Sequence, residues 1–127
     1  MGYWLRFHVP ASAEELKTEG VEHPLSAHQV LSHYGDFRSF ISQVFPIYDD
    51  QPTVQRHPLP KGFRLADNEN ADGVSKNTGD VPLYYVMAGD VAKLEFESDE
   101  VSSLDEAMMA YIRALPPDYP LIPYVIF

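Results

Sequence analysis

The chain has no cysteine, which excludes disulfides, thiolate metal sites and a cysteine nucleophile. It has no apolar stretch near the roughly 20 residues that cross a bilayer. Its start, Met1-Gly2-Tyr3-Trp4-Leu5-Arg6, lacks the basic opening and apolar run of a secretory signal. Position 6 is Arg, where a myristoylation pattern needs Ser or Thr. These absences predict a cytoplasmic protein with no membrane association. Bases are scarce as well, nine Lys and Arg against nineteen Asp and Glu, for a net charge of −10. A field of that sign repels nucleic acid and anionic lipid and attracts basic partners. No P-loop, GxGxxG, GxSxG, HExxH, SxxK or zinc-deaminase signature occurs, so nucleotide binding and catalysis have no fingerprint. No residue is assigned a catalytic role, and no cofactor is expected.

What is present suits one domain over residues 1–127. That length lies in the usual range for a single domain, and 45% of residues are apolar, among them eight Tyr and seven Phe. This is enough for a core without staples. The charge is unevenly placed. Residues 1–64 hold seven acids and six bases; residues 65–127 hold twelve acids against Lys76, Lys93 and Arg113.

Residues 3–9 alternate, with Tyr3, Leu5, Phe7 and Val9 on one side and Trp4, Arg6 and His8 on the other, which predicts a strand ended by Pro10. Ser12 and Glu15 form a capping-box pattern for a short helix closed by Gly20. A second helix is predicted from Ser26, because Ala27, Val30, Leu31, Tyr34, Phe37, Ile41, Val44 and Phe45 step by threes and fours. Gly35-Asp36 interrupts it, and Pro46 ends it. Residues 46–66 are proline-rich, with strand candidates at 53–57 and 62–66 that proline confines to an edge. Residues 67–80 read as a long polar loop, of the kind that is often functional.

A hairpin is expected next, with residues 83–88 and 91–97 as its strands and Gly89-Asp90 as its turn. Ser103 to Glu106 reads as a capping box opening a helix through Leu115, with Arg113 in its last turn, as the helix dipole prefers. The run 124–127 is β-prone. The order of elements predicts an α+β fold, a mostly antiparallel sheet of about 4–6 strands with two or three helices on one face.

Three sets of residues are candidates for function. The first is the acidic stretch Glu95, Glu97, Asp99, Glu100, Asp105 and Glu106, which contains no base. Six carboxylates exceed what helix capping requires, and like charges this close repel one another. The stretch therefore predicts a docking surface for a basic protein partner, on the hairpin's polar face with the 67–80 loop beside it. A non-enzymatic acidic binding protein follows, in one form an inhibitor or immunity-type protein that masks a toxin. The second set is Trp4, Arg56, His57, Tyr84, Tyr85 and Tyr111, expected to line an aromatic pocket if the chain is instead a small-molecule binder or small enzyme. The third is the terminal run 124–127, which would pair across a two-fold axis in a homo-oligomeric structural subunit.

Metal binding is not expected. His23, His28 and His33 lie five apart, off the i, i+4 spacing of a helical pair. The segment from Asn68 to Gly73 imitates the opening of a calcium loop, but its twelfth position is Gly79, where the bidentate Glu belongs. The basic cluster Arg56, His57, Lys61 and Arg64 is expected to pair with acids from the second half.

Overall fold

The alternation of residues 3–9 does form a strand, β1 (Gly2–Val9), in the computed structural model, which describes residues 2–36, 40–45, 53–67, 70–96 and 101–126. Helix α1 (Glu15–Glu22) follows. The Glu15 carboxylate accepts from the Ala11 N–H at 3.1 Å, and Ser12 supplies a backbone carbonyl instead of a side-chain cap. The helix runs through Gly20, where Phe63 packs so close that a Cβ would collide with its ring.

The predicted helix from Ser26 is overturned over most of its length. Gln29–Asp36 is strand β2, antiparallel to β1 with Trp4 opposite Tyr34, Arg6 opposite Ser32 and His8 opposite Val30. Leu31 and His33 point into the core, while Val30, Ser32 and Tyr34 face out. Only the second piece of the prediction is helical, as α2 (Phe40–Val44).

The proline-rich stretch contributes β3 (His57–Pro58), and β4 (Leu65–Asp67) pairs with β5 (Asn70–Val74) in a separate two-stranded ribbon. The expected polar loop is thus partly sheet, and it also carries a 3-10 turn, Thr78–Asp80. The predicted hairpin is overturned as well. Its first strand is β6 (Tyr84–Met87), but Ala88–Val91 forms a helical turn, α3, and residues 92–96 form no strand. Helix α4 (Ser103–Ala114) forms as expected with its cap one residue earlier. The Ser102 hydroxyl accepts from the Asp105 N–H, and the Asp105 carboxylate accepts from the Ser102 N–H, both at 3.1 Å.

Strand β7 (Pro120–Ile126) closes the chain as an inner strand. The main sheet has five strands in the order β2-β1-β7-β6-β3, every neighbouring pair antiparallel, so the fold is α+β in one domain. The terminal run is therefore not an open edge. It bonds β1 on one side; on the other it meets β6 at Pro120 and Leu121, then the side chains of Asn77 and Thr78. No edge along 120–126 is left for a second copy, and Phe127 lies outside the described residues.

The sheet packs against other elements on one whole face and on half of the other. Leu5, Phe7, Val9, Leu31, Val86, Leu121 and Val125 pack against α2, α3 and α4 through Phe40, Ile41, Val91, Met108 and Ile112. On the opposite face Ile122 joins Leu16 of α1 with Leu25, Phe63, Leu65 and Leu83. Three helices take the expected single face, and α1 takes the other.

Candidate functional site

The acidic stretch is only partly a surface. Glu95 and Glu106 are exposed. Glu97, Asp99 and Glu100 lie outside the described residues. Asp105 is 5% exposed, and both its oxygens are engaged inside the protein. Oδ2 closes the α4 cap, and Oδ1 lies 2.7 Å from Nδ1 of His33, a residue only 1% exposed. With Asp105 ionised, Nδ1 carries the proton and donates it to Oδ1. The other ring nitrogen, Nε2, is buried with no hydrogen-bond partner among the described residues. Phe40 and Phe96 flank the ring at 5.4 and 5.0 Å between centroids. This pair ties the start of α4 to β2 and removes one carboxylate from the predicted docking set.

Beside the pair lies an open groove of about 360 Å³. Leu94, Phe96, Val101 and Met109 give it an apolar floor, and Glu95, Glu106 and Arg113 supply its charges. The Gln43 amide donates to the Glu95 carbonyl at 3.2 Å, which anchors this rim to α2. The chain between Phe96 and Val101, both lining the groove, carries Glu97, Asp99 and Glu100 in its sequence.

The predicted aromatic pocket does not assemble. Tyr84 and Tyr85 are consecutive on β6 and point to opposite faces. Tyr84 belongs to the helix-covered core, with its hydroxyl donating to the Val44 carbonyl at 2.8 Å and Arg56 lying 5.7 Å above its ring. Tyr85 stacks on His57 at 5.0 Å and lines an apolar groove of about 380 Å³ with Leu16, Pro58, Leu59 and Met87. Tyr111 packs at the edge of the core on α4, and Trp4 is at the far end of the sheet.

Burial pushes the Tyr84 phenol well above its usual range, with the Arg56 cation opposing this more weakly. The folded state therefore holds that proton more tightly than the unfolded chain does. Its contribution is complete below the unfolded value of about 10 and is lost as pH rises beyond it. Alkaline unfolding should be shallower in Tyr84→Phe, measured as Tm against pH from 8 upwards; parallel curves would exclude this role. The Tyr119 phenol is also raised, by burial first and then by Glu15 and Tyr111; its hydroxyl donates to the Pro10 carbonyl.

The basic cluster engages backbone carbonyls and rings. Arg64 donates to the carbonyls of Asp72 and Glu22, each at 3.2 Å, while Arg56 and His57 lie on Tyr84 and Tyr85. The expected carboxylate pairing is not seen among the described residues for these side chains. No group of three or more His, Asp and Glu among the described residues could hold a metal ion. No helix among them is long and apolar enough to cross a membrane.

One feature went unassigned in the sequence. Helix α1 and the β4–β5 ribbon cover the β7–β6 half of their face, leaving the β1–β2 half open. There Trp4 and Tyr34 stand opposite each other, 45% and 55% exposed, with ring centroids 5.0 Å apart. Next to them is a hollow of about 440 Å³, lined by Arg6, His8, Ser26, Val30 and Ser32, with Ala66 of β4 as part of its wall. The alternation of β1 already placed Trp4, Arg6 and His8 on one side. Their partners could not be foreseen while β2 read as a helix. Comparison with protein-family profiles, curated proteins and solved structures finds no match to this chain.

Proposed function

We propose that this protein is an acidic binding protein whose groove between residues 94–96 and α4 receives a basic segment of a protein partner. The observation that carries this reading is the pairing of an apolar floor with exposed carboxylates at Glu95 and Glu106. An apolar floor with a charged rim suits a partner side chain that has an aliphatic stem and a cationic head, such as Lys or Arg. The charge of the second half supports the reading, since a net −9 there speeds the approach of a basic protein. An inhibitor or immunity-type protein that masks a basic toxin is one form of it, resting on size and charge.

The test is capture of partners from native extract at low and high salt, followed by binding kinetics with the captured protein. Glu95→Lys/Glu106→Lys should slow association by about tenfold or more at low ionic strength and flatten its salt dependence. Glu14→Lys/Glu19→Lys, at the start of α1 and on it, should change the rate far less. Equal association rates for the groove variant and the unaltered protein would refute the assignment.

A further inference from the structure

The open β1–β2 face carries a feature that the acidic groove does not explain. Arg6 is half-buried at the middle of β1, in a chain with ten more acids than bases. Even so, its guanidinium makes no hydrogen bond or ion pair among the described residues. A half-buried guanidinium has lost part of its hydration and, in so acidic a protein, would ordinarily be given a carboxylate. Here the position directly across on β2 is Ser32, and on the other flank it is Tyr124. Neither strand position across from Arg6 thus carries an anion.

We propose that this face binds a small organic anion carrying a flat ring, with the anionic group on Arg6 and the ring against Trp4 and Tyr34. The guanidinium offers a planar fork of donors suited to a phosphate or carboxylate, and the Ser26 and Ser32 hydroxyls line the same hollow. Trp4 and Tyr34 lie two residues along their strands from Arg6 and Ser32, on the same face. The distance is roughly 7 Å, about the reach from an anionic group to a single attached ring. Tyr34 leans across onto Gly2, where a Cβ would collide with its ring; it therefore tilts away from Ser32 and Arg6.

The size of the ligand follows from the charge balance. A polyanion such as single-stranded nucleic acid would feel the whole −10 of the protein. A ligand with one anionic group responds mainly to the cation it touches, because charges beyond about 8 Å are largely screened at physiological salt.

Trp4 is the only tryptophan, so its fluorescence reports this face alone. Phenyl phosphate should change Trp4 emission saturably, and inorganic phosphate should bind about tenfold more weakly for want of the ring. Arg6→Gln should weaken phenyl phosphate by at least about tenfold, with Arg6→Lys between it and the parent. Ser32→Glu supplies the missing carboxylate in cis; it should abolish binding without lowering Tm, which separates loss of the site from loss of the fold. Lys76→Gln, on an exposed turn away from this face, should leave affinity unchanged. The proposal is overturned if phenyl phosphate gives no saturable response up to about 10 mM, or if folded Arg6→Gln or Ser32→Glu binds as the parent does. It is equally overturned if a thymidine oligonucleotide binds more tightly than phenyl phosphate, or if the response comes from dimerisation seen by light scattering.

Discussion

Replacing Asp105 with alanine is expected to cost about 1.5–4.5 kcal/mol, because it takes the acceptor from two N–H donors. Two separate losses add up to it. Half of the α4 capping box is lost, since Ser102 N–H no longer has the Asp105 carboxylate as acceptor, at about 0.5–1.5 kcal/mol, while the Ser102 hydroxyl still accepts from the N–H of residue 105. His33 then keeps a buried N–H with no acceptor at Nδ1 and an unpartnered Nε2 behind it; an unsatisfied buried donor costs about 1–3 kcal/mol. Against a total stability of about 5–15 kcal/mol this is a large share.

Ser102→Ala serves as the control, because it removes the capping hydroxyl and leaves the His33 contact. Its loss should be about 1 kcal/mol. If Asp105→Ala unfolds at the same urea midpoint as Ser102→Ala, the His33 contact contributes nothing and the account is wrong. The pair also bears on function. It holds the first turn of α4 against β2, and Glu106 of the proposed groove sits in that turn. Weakened partner binding in Asp105→Ala is therefore expected even though the residue itself is buried.

The same pair shows where the sequence was legible and where it was not. Strand β1 and helix α4 could be read because their core-facing positions are apolar apart from Asp105, Pro10 ends the strand, and a cap and Pro116-Pro117 bracket the helix. The α4 cap was misplaced by one residue because Ser102-Ser103 and Asp105-Glu106 are doublets that fit either register. Strand β2 was misread for a different reason. One of its inward positions is His33, whose justification is a carboxylate 72 residues away, so its outward Val30 and Tyr34 joined Leu31 in a false helical stripe. The hairpin failed where two periods overlap: Ala92, Leu94 and Phe96 alternate, but Ala88, Val91 and Leu94 are the buried positions, and they step by threes. Nothing local distinguishes these cases.

The candidate sites fared alike. The acidic stretch was visible as composition, but the burial of Asp105 was not, since it depends on the β2–α4 contact. Trp4 stands apart from Tyr84 and Tyr85 because β7 lies between β1 and β6.

Asn77→Ala is expected to destabilise by roughly 3 kcal/mol or more, and it explains what part of the polar 67–80 segment is for. Beyond Leu121 strand β6 stops pairing with β7, so the edge of β7 at residues 123–125 needs other partners. Asn77, 4% exposed, supplies them by imitating a strand. Its Nδ2 donates to the Pro123 carbonyl at 3.0 Å, and its Oδ1 accepts from Val125 N–H at 3.0 Å and from Thr78 N–H at 3.1 Å. Thr78 adds its hydroxyl to the Val125 carbonyl at 2.6 Å.

Alanine would strand two backbone groups of an inner strand, each costing about 1–3 kcal/mol when left without a partner. Asn77→Asp should be worse still. It keeps the acceptor but sets a second oxygen, with a charge to be buried, against the Pro123 carbonyl. Amide exchange gives the site-resolved reading: the Val125 N–H should be among the slowest in the parent and exchange much faster in Asn77→Ala, while amides of α1 change only through global stability. A Val125 amide that exchanges at the same rate in both proteins would mean that Asn77 does not hold this edge, and the 67–80 segment would then need another reason for its polarity.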